Sequence, residues 1–192
     1  MVGHSLRVCL WGLLIALVPG SVCFSATSPR YAFYDEAQVL EVVGPNLLKL
    51  KLVKKDKVVV VRLLGVGSPR NKDRVRTLGS EILAYIQTNR MWETARSFVR
   101  SRVSKKVVQL WVRRWDQYDD KNRLLAYVMI PTDSDESQDL NGEIIRKGLG
   151  FVTRDYVHVT FVQYRQLEEE ARKDRRGLWR GLTIGKVTSL SH

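Results

Sequence analysis

The stretch VRLLGVGSPRN, residues 61 to 71, sets Arg62 inside an apolar run and Arg70 just past a Gly-Ser-Pro corner. No carboxylate stands between the two charges. Arginine carries a rigid, always charged fork of donors whose geometry matches phosphate oxygens. Two of them bracketing a strand end therefore point to anion binding. Each also has a plainer account: Arg62 as a strand arginine paired with a buried carboxylate, Arg70 as an exposed turn charge. A second basic group, Arg96, Arg100, Arg102, Lys105 and Lys106, suits sequence-independent contact with phosphates or is simply a solvated helix face. Trp111 and Trp115 share one parity on a strand, where they either stack bases or pack in the core. His4, His158 and His192 are scattered without metal-ligand spacing. Neither a glycine-rich phosphate loop nor a nucleophile elbow is present in the sequence.

The elements that must position these residues follow from hydrophobic periods. Strand patterns occupy QVLEVV (38–43), LLKLKLV (47–53) and KVVVVRLLGV (57–66), separated by Gly44-Pro45-Asn46 and Lys54-Lys55-Asp56. Such short turns imply an antiparallel meander whose third strand is buried on both faces. Residues 70–92 form a long basic connection with one helix through Ile82, Tyr85 and Ile86, and Ala95, Phe98, Val99 and Val103 recur at helical spacing. Two further strands, KVVQLWVRRW (106–115) and RLLAYVMI (123–130), flank the polar hairpin DQYDDKN. TDSDESQD (132–139) reads as a solvated acidic loop and Asn141 as the cap of a short helix ended by Gly148. QYRQLEEEARKDRR supplies the last long helix. The order predicts an α+β, mainly β, chain: a five-stranded barrel of the oligonucleotide-binding type with about three helices.

Lys plus Arg number 32 against 20 Asp plus Glu, a formal net charge of +12. That excess attracts polyanions, meaning nucleic acid or an anionic membrane surface. At the N-terminus MVGHSLR precedes VCLWGLLIALV, an apolar run ended by Pro19-Gly20. The run is shorter than the roughly 20 residues of a membrane span and fits a secretory signal. Cleavage is expected between Cys23 and Ala26, with an uncleaved anchor or a lipid-modified Cys23 as alternatives. Both cysteines, Cys9 and Cys23, fall in this segment, so no disulfide scaffold is expected. The expected organisation is a signal peptide at 1–25, a lead-in at 26–37, one barrel domain at 38–180 and a tail at 181–192. Location is then secreted or periplasmic, or membrane-anchored if the leader is retained.

Four segments carry a family resemblance. RLLGVGSP (62–69) resembles the third strand and turn of thermonuclease (staphylococcal nuclease-like) domains, and DKNRLLAY (120–127) is similar to their hairpin and fifth strand. NGEIIRKGLG (141–150) and EEARKDRRGLW (169–179) resemble the helix beyond the barrel and the closing helix. The resemblance implies a calcium-dependent phosphodiesterase of DNA and RNA, with two phosphate-bracing arginines, a glutamate general base and two metal-holding aspartates. Carried over by position, the arginines are Arg62 and Arg123. The metal positions fall at Asn46 and Gly67, beside Ser68, and Arg70 stands where the general base belongs. Tyr156 falls near the family's base-stacking tyrosines.

Arginine cannot accept a proton, and calcium affinity falls as ligand charges are removed. What the resemblance implies here is nucleic acid held through Arg62, Arg70, Arg123 and Tyr156, with calcium-dependent hydrolysis lost and no metal or cofactor. One alternative is an active nuclease with relocated carboxylates, drawn from Glu41, Asp73, Glu81, Glu93, Asp116, Asp119 and Asp120. Another is an envelope module whose barrel binds protein.

Overall fold

The computed structural model describes residues 31–68, 89–133 and 136–180. The leader, the tail, the helix expected through 82–86, and Arg70, Asp73 and Glu81 lie outside the described residues. Strands β1 (Tyr31–Gly44), β2 (Leu47–Leu52) and β3 (Lys57–Leu63) form the expected antiparallel meander. On β2 the alternation buries Leu48, Leu50 and Leu52 and turns Lys49 outward. Each such leucine contributes about 1.5–3 kcal/mol by leaving water. On β3 the burial is two-sided only toward its end, at Val61, Arg62 and Leu63, while Val58 is exposed.

The first strand takes in residues 31–37, which the sequence pattern assigns to a lead-in. They pair with β5 (Val107–Arg113), from Tyr31 opposite Arg113 to Ala37 opposite Val108. A register shift between Tyr34 and Ala37 breaks the period-two alternation, and that irregularity hid the strand.

Short β4 (Val66–Gly67) pairs with β8 (Phe151–Val152) at the barrel lip. β5 pairs with β6 (Leu124–Pro131), and β6 runs parallel to β3. That last pairing closes five strands into a barrel. Helices α1 (Asn89–Val103), α2 (Leu140–Arg146) and α3 (Phe161–Lys173) are the expected helices that fall among the described residues. α1 buries Ala95, Val99 and Val103, and α3 buries Tyr164, Leu167, Glu168 and Ala171. Both sets follow the spacing of one helical face.

Two local readings need correction. The acidic loop contains a strand, β7 (Ser137–Asp139), that extends the sheet from β6. Asp139, not Asn141, holds the N-cap position of α2. Asn141 is fully buried. Its Oδ1 accepts from the Val128 N–H at 3.1 Å, and its amide donates to the Leu64 and Ala126 carbonyls at 3.0 and 3.2 Å. A buried amide left without those partners costs about 1–3 kcal/mol per unmade bond. The residue therefore straps the β3–β4 turn to β6, which fixes the strand end carrying Arg62.

Candidate functional site

The parallel register sets Val61 beside Leu124 and Arg62 beside Leu125. Arg123, just before β6, is thereby brought to the barrel end where Arg62 finishes β3. The two arginines meet at one carboxylate, Asp119, whose side chain is 0% exposed. Arg123 donates to Asp119 Oδ2 from Nε at 2.7 Å, with its Nη2 at 2.5 Å. Arg62 Nη1 lies 3.5 Å from the same oxygen. Oδ1 accepts the backbone N–H groups of Lys121 and Arg123 at 3.0 and 2.9 Å. A hairpin residue thus serves as the shared anion of both forks. Burial pushes its pKa up, but the bonds from Arg123 and Lys121 and the Arg123 charge outweigh it and hold the carboxyl below its ordinary value.

Arg62 has a second carboxylate partner. Its Nη2 donates to Asp155 Oδ2 at 3.1 Å, from the loop between β8 and α3. Tyr156 lies with its ring centroid 5.4 Å from the same guanidinium, a cation–π contact. The plain account of Arg62, a strand arginine paired with buried acid, is therefore realised. It coexists with the convergence of Arg62, Arg123 and Tyr156 at one place. Among the described residues, two arginines face two aspartates here.

The expected metal positions are built differently. Asn46, in the β1–β2 turn, is buried and donates its amide to the Val66 carbonyl at 3.0 Å. It clamps the lip of the barrel. At Gly67 an added Cβ would fall 2.2–2.6 Å from ring atoms of Phe151, the residue paired with it across β4 and β8. The aromatic ring fills the space a side chain would need. Ser68 is buried, and its hydroxyl has no hydrogen-bond partner among the described residues. A similar close approach occurs at Gly65, where φ is +80° and a Cβ would meet the His158 ring at 2.7 Å; only glycine fits both demands.

Residues 60–181, more than half of the chain, match a family described as "Staphylococcal nuclease homologue". The chain belongs to that family. It is 28% identical over 134 residues to "Probable endonuclease LCL3" of Schizophyllum commune (strain H4-8 / FGSC 9210), covering 65% of this chain and 41% of that protein. It is 27% identical over 134 residues to "Probable endonuclease lcl3" of Botryotinia fuckeliana (strain B05.10), covering 66% of this chain and 44% of that one. The chain thus spans less than half the length of these curated relatives.

Calcium, the ion that membership of the staphylococcal nuclease family suggests, requires six to eight oxygens at about 2.3–2.6 Å. The described residues do not fit it. One expected aspartate is a glycine facing a phenylalanine ring, the other is an asparagine committed to a backbone carbonyl. Among the described residues no group of three or more His, Cys, Asp or Glu could hold a metal ion. Asp119 and Asp155 already neutralise arginines.

Of the other carboxylates weighed from sequence, Asp116 pairs with Arg113 at 3.0 Å, while Glu41, Glu93 and Asp120 are exposed. The α1 basic face is partly consumed internally: Arg96 donates to the Val42 carbonyl and Arg102 to Glu143, both at 3.0 Å. Arg100, Lys105 and Lys106 are exposed. Trp111 stacks edge-on with Phe33. Trp115 lies past the end of β5, 53% exposed, and with Tyr31, Tyr156 and Val159 it walls a cavity of about 460 Å³ beside Asp155.

Sequence reasoning missed Asp155 and Phe151. Asp155 sits in RDY with no period to mark it. The match of Phe151 to Gly67 is visible only once β4 and β8 are paired.

Proposed function

We propose that this barrel binds the phosphodiester backbone of nucleic acid through Arg62, Arg123 and Tyr156, with Arg70 as a further contact, and does not hydrolyse it with calcium. The observation that carries the reading is the juxtaposition at one barrel end: two arginine forks converge where a phenylalanine ring closes the carboxylate position. Forks without a metal-activated water bind an anion and leave it intact, because arginine supplies donors and no base. The net charge of +12 adds long-range attraction for a polyanion. Export remains part of the proposal on the strength of the leader alone.

The rival reading is a metal-dependent endonuclease with carboxylates placed elsewhere, and the names of the two relatives favour it. A titration of calcium, magnesium and manganese against single-stranded DNA and RNA separates the two. Retention of intact strands at every metal concentration is expected. Metal-dependent release of acid-soluble nucleotides by the purified chain, lost on Glu93→Ala, would establish the rival. Binding should weaken with salt, and Arg123→Ala should reduce the log–log salt slope by about 0.7–0.9. Binding without any salt dependence would instead favour a protein-interaction module.

A further inference from the structure

We infer that the cavity beside the Arg62 cluster is a stacking site for one unpaired nucleobase, held by Trp115, so that single-stranded nucleic acid is the form this barrel end takes. The inference rests on the proposed backbone-binding reading and adds the ligand class.

The walls of the cavity are rigid. In the segment Val157-His158-Val159 the alternation turns His158 inward and both valines outward, Val157 at 86% exposure. The ring nitrogens of His158 lie against Thr160 and Thr153, which fixes the loop that carries the valines. Tyr31 pairs with Arg113 in the β1–β5 ladder, and its ring stands 5.9 Å from that of Tyr127. Trp115 lies two positions beyond Arg113, past the end of β5, with about half of its surface open to water. An indole left that open at the rim of a cavity gains by being covered.

Charge decides what can cover it. Two carboxylates, Asp116 and Asp155, reach the cavity, and each already stands against an arginine. Asp116 meets Arg113 at 3.0 Å and Asp155 meets Arg62 at 3.1 Å. Arg113 donates from Nη1 to the Val157 carbonyl at 2.7 Å and from Nη2 to Asp116, and its Nε is buried. The described lining therefore holds no open fork for a second phosphate, and its carboxylates are matched by arginines rather than left for a cation. Aromatic and aliphatic surface remains, which suits a neutral planar ring.

Position decides which ring. Asp155 and Tyr156 belong both to this cavity and to the Arg62 cluster. A strand whose phosphate lies on Arg62 and Arg123 thus brings an adjoining base to Trp115. In a duplex that base is paired and stacked inside the helix; in a single strand it is free to splay out. Stacking on an aromatic side chain tolerates any sequence, because every base has a π-face.

The test uses calorimetry on the full chain at fixed salt. It compares a short single-stranded oligonucleotide with a strand of equal length and charge built wholly of abasic nucleotides. The native chain should bind the base-bearing strand about tenfold more tightly. Trp115→Ala should weaken that strand by about tenfold, leave the abasic strand within about twofold, and keep the native log–log salt slope. Trp115→Phe, which retains a π-face, should keep most of the preference. Equal affinity of the native chain for the two strands, or a preference intact in Trp115→Ala, overturns the inference and leaves backbone binding standing. An equal loss on both strands in Trp115→Ala would make the indole a support for the phosphate site alone, and overturns it as well. Failure of the native chain to bind either strand at low salt overturns both readings.

Discussion

Asp119 and Asp139 both place carboxylate oxygens out of water, Asp119 in the hairpin before β6 and Asp139 on β7 beside the far end of β6, and their pKa values move in opposite directions. Asp119 stands between two arginine forks and two backbone N–H groups. Burial works against its ionisation, but those partners win and its pKa is lowered. Asp139 receives the Tyr164 hydroxyl at 2.8 Å and forms no ion pair among the described residues. There burial is the largest influence, the bonds from Gly142, Tyr164 and Asn141 do not offset it, and the pKa is raised. Depth alone does not decide charge; the kind of donor does. The Asp119 end is consequently a place where an anion is already welcome, whereas Asp139, bonded to Tyr164, is a strut between α2 and α3 whose charged form the fold disfavours.

The comparison breaks most visibly at Asp119. Asp119→Ala leaves two arginines facing each other without their shared anion and removes the acceptor of two hairpin N–H groups. A loss of about 3–5 kcal/mol is expected in denaturant unfolding at pH 7. An effect below about 1 kcal/mol, the size typical of exposed pairs, would mean that the cluster is not a structural keystone. Because the folded pKa is depressed, the Asp119 contribution is present above the unfolded value of about 3.9 and is lost as pH falls through the folded pKa.

Asp139 should behave with the opposite sign. Its raised pKa favours the protonated carboxyl in the fold, so its contribution is full below about pH 3.9 and is lost as pH rises through the folded value. Asp139→Asn is therefore expected to stabilise at pH 7 by on the order of 1 kcal/mol, with the gain disappearing near pH 3. A destabilisation at pH 7 that shrinks toward pH 3 would show that Asp139 functions charged.

The smallest effect belongs to His158, which neighbours Tyr164. Its ring nitrogens lie 3.2 Å from Thr160 Oγ1 and 3.3 Å from the Thr153 carbonyl. Burial is the main cause of its lowered pKa, so the fold disfavours its charged form. Below about pH 6.5 the unfolded chain takes up a proton that the fold resists, and stability falls as pH drops toward the folded pKa. His158→Gln should flatten the slope of unfolding free energy between about pH 6.5 and 5, whatever its baseline. An unchanged slope would assign the imidazole no part in the pH response.

How much was legible beforehand varies with the range of the interaction. The β2 alternation of Leu48, Leu50 and Leu52 against Lys49 is a local signal, and it placed the strand correctly. So did the spacing of Ala95, Val99 and Val103 in α1. The first part of β1 was not legible, because a bulge between Tyr34 and Ala37 disrupts the period. Asn141 was misread for a different reason. A buried amide and a helix cap draw on the same residue types, and only the positions of Leu64, Ala126 and Val128 distinguish them.

By itself the sequence determined the barrel strands, their short turns, the basic surplus, the two arginines and membership of the nuclease family. These depend on residue type and near-neighbour spacing, which a linear pattern preserves. The tertiary structure alone decided that Asp155 would face Arg62 across 93 positions, that Asp119 would join both forks, and that Phe151 would fill the space at Gly67. Those meetings arise from closing β3 against β6 and β4 against β8. A closure that brings distant segments into register leaves no local period to read.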